Sequence, residues 1–304
     1  MFSAAFRRLN TSLAGGAIII AFFSIISKVL GLYRDRLLAY QFGANADLDV
    51  YFAAFKIPDF IFNILILGAL SSAFIPVFQR VYHKDAAEGV RLSNSVLNLL
   101  LLVVAGICLV TLFNLNFFVT LLVPGFTLAQ IHQTADLTKI MLLSILFFTF
   151  SNIISGVLNA WKRFLTFSIS SVVYNLGIIF GIAVLYPYIG LTGLAWGVVL
   201  GAFLHMLSQY PAAKASGFFY KPVFSFRQKG LRRIFKIIIP RSASLILAQT
   251  NLLVMAAIAS FLGSGRVAIF NFATDLNSSI FGVAAVPLGV AVFPLFAEYV
   301  SKGK

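Results

Sequence analysis

Residues 27–79 read SKVLGLYRDRLLAYQFGANADLDVYFAAFKIPDFIFNILILGALSSAFIPVFQ, and this stretch decides the fold. It is mostly apolar, yet it carries Lys28, Arg34, Asp35, Arg36, Asp47, Asp49, Lys56 and Asp59. Asp49, Lys56 and Asn63 recur every seventh residue, so on a helix they share one face, with Asp59 on the same side. The other faces are Phe, Ile, Leu, Val, Ala and Tyr. A helix with one ionic stripe, in a chain this hydrophobic, implies an ionic cavity inside a membrane bundle.

The whole chain supports that reading. Its 304 residues are 60% hydrophobic and only 11% charged, and the mean hydropathy is +0.97. Soluble domains carry roughly 25% charged residues. Apolar runs of transmembrane length recur along the sequence. The net charge of +14 does not indicate a nucleic-acid partner, because the basic residues fall in short loops between apolar runs. Cys108 is the single cysteine, which excludes a disulfide framework or a cysteine metal site. The N-terminal GGAIIIAFFSIIS runs on into Lys28 and Arg34, so it reads as an uncleaved first span rather than a signal peptide.

The expected fold is all-α: a polytopic transmembrane bundle of about eight spans. They fall near 12–40, 50–78, 92–123, 139–159, 164–186, 191–211, 237–262 and 268–299. Gly31 is the expected break in the first span, and Pro58 and Pro76 are candidate kinks in the second. The segment PGFTLAQIHQTADLT after the third span is expected to be a longer loop. With eight spans, Arg80, Lys84, Arg91, Lys162, Arg163 and the basic residues of 214–236 fall on the side of both termini. The positive-inside rule makes that side cytoplasmic.

An internal repeat divides the chain. FGANADLDVYFAAFKI aligns with LGSGRVAIFNFATDL, pairing Gly43 with Gly263, and ALSSAFIPVF aligns with LGVAVFPLFA, pairing Pro76 with Pro294. The expected organisation is a six-helix lobe over 1–213, a basic cytoplasmic linker over 214–236, and the first two helices of a second, incomplete lobe over 237–304. Parallel repeats of this kind recur in secondary transporters.

The motif SKVLGLYRDRLLAYQFGANADLDVYFAAFKIPD, then GALSSAFIPVF, PGF and LNAWKRF, resembles the MurJ/MviN-type lipid II flippases in order along nearly the whole chain. That family belongs to the superfamily of multidrug, oligosaccharidyl-lipid and polysaccharide exporters. The resemblance implies two six-helix lobes around a central cavity. It also implies carriage of a lipid-linked peptidoglycan precursor to the outer leaflet of the bacterial cytoplasmic membrane by alternating access. The family's basic first-span residue falls on Lys28, where Arg is usual, and its Arg-Asp pair on Arg34 and Asp35. Its loop-proximal Asp falls on Asp49, and its Lys-X-Pro on Lys56 and Pro58. Where the family often has an Arg pair, this chain has Phe62 and Asn63. Where it usually has an Arg in the eighth span, this chain has Asp275. Arg241 in the seventh span is the candidate replacement cation.

The candidate substrate-binding set is therefore Lys28, Arg34, Asp35, Asp49, Lys56, Arg241 and Asp275, with Gly31 expected to turn Lys28 and Arg34 towards one cavity. Arg suits a diphosphate through its planar donor fork, and Lys acts as a point charge. The structural alternatives are an Arg34–Asp35 pair, an Asp49–Lys56–Asp59 internal ion network and an Asp275–Arg241 pair. Asn152, Ser155 and Asn159, and Ser168, Ser171 and Asn175, form polar stripes expected to bond neighbouring helices. His83, His132 and His205 form no metal triad. There is no Walker loop, nucleophile elbow or paired catalytic carboxylate, so the expectation is a transporter rather than an enzyme. It needs no cofactor and is driven by membrane potential or an ion gradient. Its partners are a lipid-linked sugar diphosphate, membrane lipids and a completing second half or partner chain. The competing readings are a polysaccharide-lipid exporter of the same superfamily and a non-transporting membrane fragment.

Overall fold

A computed structural model describes residues 13–67, 73–225 and 229–282, which are helical almost throughout, with no strand among them. In chain order the helices are α1 (Leu13–Phe42), α2 (Ala46–Phe62), α3 (Ile75–Lys84), α4 (Ala86–Phe113), α5 (Leu115–Leu122) and α6 (Leu128–Ala160). Then come α7 (Phe164–Phe180), α8 (Tyr186–Ile189), α9 (Leu191–Ala215) and α10 (Lys229–Ser260), followed by α11 at 266–282. Among the described residues, 6 segments are long and apolar enough to cross a membrane. The chain is thus a multi-pass helix bundle.

Several sequence expectations need adjustment. The first span does not break at Gly31; α1 is continuous from Leu13 to Phe42. In the second span α2 runs through Pro58 into a π-helical turn at Asn63–Leu67; residues 68–72 lie outside the described residues, and π-helical residues 73–74 lead into α3, which has Pro76 in its first turn. The third span divides at Asn114 into α4 and α5. The expected long loop after it is short, because Thr127 and Gln130 form a reciprocal capping box that starts α6 at Leu128. That T-x-x-Q signal was present in the sequence. The basic segment 214–236 is partly helical: α9 reaches Ala215 and α10 begins at Lys229. Most of the eighth span, with Pro294 of the repeat, lies outside the described residues.

Packing follows membrane rules. Many large apolar side chains face outwards, such as Ile18, Phe22, Leu109, Val110 and Phe117. Lipid tails are as apolar as leucine, so helices associate here through close contact and polar bonds rather than water exclusion. Gly177 and Gly181 on the α7 side meet Gly193, Gly197 and Gly201 of α9. A Cβ added at Gly177 would lie 2.3 Å from the Gly201 Cα, and one at Gly181 would lie 2.5 Å from the Gly197 Cα. Any side chain there would force the backbones apart. This glycine ladder at four-residue spacing is a local signal in the sequence.

The polar stripes join helices in part, while Asn152 and Ser168 bond carbonyls of their own helices. Asn175 of α7 donates to Ser27 Oγ of α1 at 3.0 Å. Ser155 of α6 donates to Gln209 of α9 at 2.7 Å. One end of the bundle is filled by Phe74, Phe78, Leu92, Val157, Phe218 and Ile234. The other centres on Leu48, Tyr51, Val119, Met141, Leu194 and Val267. Cys108 is buried in a small cluster with Ile61, Val104 and Leu142.

Candidate functional site

Helices α1, α7 and α11 enclose a polar cavity of about 230 Å³ lined by Lys28, Gly31, Arg34, Asp35, Asn175 and Asp275, among others. Lys28 and Arg34 therefore do share a cavity, although α1 is unbroken. Their long side chains reach it from two sides of the bare Gly31 surface. A Cβ at Gly31 would meet only Asn175 Oδ1, at 3.7 Å. Lys28 lies along α11, with its Cε 3.3 Å from where a Gly282 Cβ would stand.

Arg34 is the most heavily engaged cation in this cavity. Its Nε and Nη2 donate to Asp35 Oδ1 at 2.9 and 2.7 Å. Nη2 also reaches Asp275 Oδ2 at 3.4 Å. The structural Arg34–Asp35 pair is thus present, and it coexists with the cavity. Asp275 faces Arg34; the side chain of Arg241, its other candidate partner, lies outside the described residues. Lys28, Arg34, Asp35 and Asp275 together carry two charges of each sign. Arg36 points away and is exposed.

An adjoining cavity of about 280 Å³ lies between α2, α6, α7 and α9 and is lined by Asp59, Phe148, Tyr174, Asn175 and His205, among others. The two cavities share Ser27, Tyr174 and Asn175. His205 also bonds Ser151 through Nδ1. A lone histidine on an apolar helix gave no sign of this position in the sequence. Among the described residues, no group of three His, Cys, Asp or Glu could hold a metal.

Of the alternative Asp49–Lys56–Asp59 ion network, Asp49 and Lys56 make their hydrogen bonds to α11 and the turn before it. Asp49 is 1% exposed. Its two carboxylate oxygens accept from the backbone N–H groups of Gly265 and Ala268, the latter at 2.7 Å. It caps the N-terminus of α11. Lys56 Nζ donates to Asn271 Oδ1 at 2.6 Å, one turn further along α11, and stands 5.9 Å from the Phe270 ring centroid. So Asp49, Lys56, Arg34 and Lys28 contact α11 in succession from residue 265 to residue 282.

The repeat explains this meeting of elements. Gly43 and Gly263 both adopt positive φ, +65° and +99°, and each turns the chain into a helix three residues later. The two turns face each other: a Cβ on Gly265 would lie 2.3 Å from Ala44 O. Beside them Gly125, of the PGF motif, donates its N–H to Ser260 Oγ at 3.0 Å. This end of the bundle is closed by backbone contact between α2, the α5–α6 turn and the α10–α11 turn.

The comparisons with known proteins agree with this architecture. The family profile described as lipid II flippase MurJ matches residues 38–304. The probable lipid II flippase MurJ of Buchnera aphidicola subsp. Baizongia pistaciae is 30% identical over 285 residues, covering 91% of this chain and 55% of that protein. A solved lipid II flippase MurJ in an inward closed conformation superposes with a TM-score of 0.76 at 26% identity, over 90% of this chain and 57% of that one. A MATE transporter in a bent conformation shares the fold alone, with a TM-score of 0.67 at 15% identity over 92% of this chain and 65% of that one. The chain spans about half the length of the curated relatives it matches. By the profile match over most of its length, the chain belongs to the lipid II flippase MurJ family.

Proposed function

We propose that this chain supplies the first lobe, and the start of the second, of a flippase for a lipid-linked peptidoglycan precursor. It carries the precursor from the cytoplasmic to the outer leaflet of the bacterial cytoplasmic membrane. The observation that carries the reading is the cavity holding Lys28 and Arg34 inside the bundle, beside a bundle end closed through Asp49. The diphosphate is the ligand. Arg34 offers a fork of donors, Lys28 a point charge, and the apolar walls strengthen both. In the closed arrangement Asp275 takes up one Arg34 donor. Movement of α11 away from α1 withdraws Asp275 and leaves Arg34 free for phosphate. Alternating access then amounts to making and breaking the α11 contacts, with membrane potential or an ion gradient as the drive and no covalent chemistry.

The lobes are residues 1–213 and 237–304, joined by 214–236, and both termini are cytoplasmic. The lopsided distribution of Lys and Arg supports that orientation. Single cysteines at Asn45, Gln130 and Ser264, in a Cys108→Ala background, should react with an impermeant thiol reagent from outside. Cysteines at Glu88 and Gln228 should react only after permeabilisation. External labelling at Gln228 would overturn the orientation.

The function itself is tested in a bacterium depleted of its own lipid II flippase. The chain, joined to the C-terminal part of a relative, should restore growth and precursor flipping. Export of a different lipid-diphosphate sugar by that protein, without growth rescue, would favour the polysaccharide-lipid exporter. Asp275, where the family usually places an Arg, is the feature that favours this second reading.

A further inference from the structure

Residues 218–225 form a non-helical strap between α9 and α10, held by two asparagines one turn apart on α4. Asn94 and Asn98 are 1% and 4% exposed. Asn94 treats the strap as a β-strand would: its Nδ2 donates to Phe219 O at 2.9 Å and its Oδ1 accepts from the Lys221 N–H at 3.2 Å. Asn98 Nδ2 donates to both Lys221 O and Val223 O at 3.0 Å. The Tyr220 hydroxyl donates to Asn98 Oδ1 at 2.9 Å. Phe218 is fully buried beneath the strap.

The clamp fixes which side chains the strap turns outwards. Phe219, Tyr220 and Phe224 are exposed by 52%, 40% and 54%. Between the strap and the first turns of α4 lies a cavity of about 840 Å³, bordered by Tyr82, Arg91, Phe219, Tyr220 and Lys221 among others, with no carboxylate in its lining. The nearby Asp85 is committed to the α4 cap, accepting from the Ala87 and Glu88 N–H groups. Hydrogen bonds hold the strap's backbone, while the Arg91 and Lys221 side chains are exposed. The strap and the α3–α4 junction lie at the basic end of the bundle. Exposed aromatics beside Lys and Arg, at the ends of membrane-crossing helices, are the composition of a membrane–water interface. Basic pockets between helices on the cytoplasmic side suit phosphate-bearing lipid headgroups.

We propose that this cavity is a binding site for an anionic phospholipid of the cytoplasmic leaflet. Its phosphodiester lies between Arg91 and Lys221, and its acyl chains run past Phe219 and Phe224. The site is separate from the α1–α7–α11 cavity. It sits on the strap that joins α9 to α10, so an occupied site ties that connection to the bilayer. The proposal rests on the chain's being a membrane protein and not on which precursor it carries.

The test uses the purified chain in nanodiscs of phosphatidylcholine containing a minor fraction of phosphatidylglycerol. Retained lipids are counted by native mass spectrometry after mild delipidation. The wild type should retain phosphatidylglycerol over phosphatidylcholine. Each basic residue near an anionic lipid contributes about a factor of five, so the Arg91→Gln, Lys221→Gln double variant should retain about 25-fold less. Arg91→Lys with Lys221→Arg should keep most of the retention, and Lys139→Gln, at the opposite end, should be unchanged. Equal retention by the wild type and the glutamine double variant, both monodisperse, would overturn the proposal. So would loss of retention in the charge-preserving variant while its elution profile stays normal. Displacement of the lipid by millimolar inorganic phosphate alone would also overturn it, by showing an anion site indifferent to the membrane.

Discussion

Replacing Arg34 by alanine should weaken binding of a polyprenyl-diphosphate sugar about 30- to 150-fold, the equivalent of losing charged hydrogen bonds worth about 2–3 kcal/mol. Arg34→Lys should recover part of that loss, because the charge remains but the planar fork does not. Lys28→Arg should be tolerated, since the family resemblance places Arg at that position. Asp275→Asn should act in the opposite direction. It removes the carboxylate that lies 3.4 Å from Arg34 Nη2, so the guanidinium meets less competition and headgroup affinity should rise. Asp35→Asn should have a smaller effect than Arg34→Ala, because Asp35 orients the guanidinium through Nε and Nη2 without facing the phosphate. The check is equilibrium binding of the lipid diphosphate to each purified variant at matched monodispersity. Full affinity in the Lys28→Ala, Arg34→Ala double variant would show that these cations are structural and that the headgroup binds elsewhere.

Substituting Asp49 by alanine should open the closed end of the bundle. The buried N–H groups of Gly265 and Ala268 would lose the carboxylate they share. An N-cap to alanine change costs about 0.5–2 kcal/mol, and bonds to a charged acceptor are stronger than neutral ones. A loss of roughly 3 kcal/mol from the closed state alone would shift a closed-to-open equilibrium about 150-fold. Asp49→Asn should fall between, because its amide keeps one acceptor but presents N–H to N–H at the second position. Spin labels at Gln133 and Ser264, both exposed, report the separation of α6 from the α10–α11 turn. The alanine variant should show a longer, broader distance distribution. A distribution identical to wild type would mean that the Gly125–Ser260 and Ala44–Gly265 contacts hold this end without Asp49.

Much of the fold was legible before any coordinates. Hydropathy and length dictate membrane-crossing helices because a spanning segment must satisfy its own backbone hydrogen bonds. The turn glycines, Gly43 and Gly263, marked the repeat because L residues rarely adopt their positive φ. The capping box at Thr127 and the glycine ladder of α7 and α9 were equally present as local signals. Each of these features depends on residues close in sequence, or on a composition that only one environment accepts.

Partner choice was another matter. The seven-residue stripe correctly put Asp49, Lys56 and Asp59 on one side of a helix, but spacing cannot say what stands opposite. Asp49 was free to pair with Lys56 by sequence, yet it caps a helix that begins more than 200 residues later. Asp275 faces Arg34 because α11 packs along α1. Asn94 and Asn98 are polar residues in an apolar helix whose partners lie in a strap more than 120 residues later. A buried charge in a membrane must be matched, so the sequence determined that these ions have partners. Which partners they have was decided only by the long-range approach of α11 and the strap, a property of the folded bundle that no local pattern encodes.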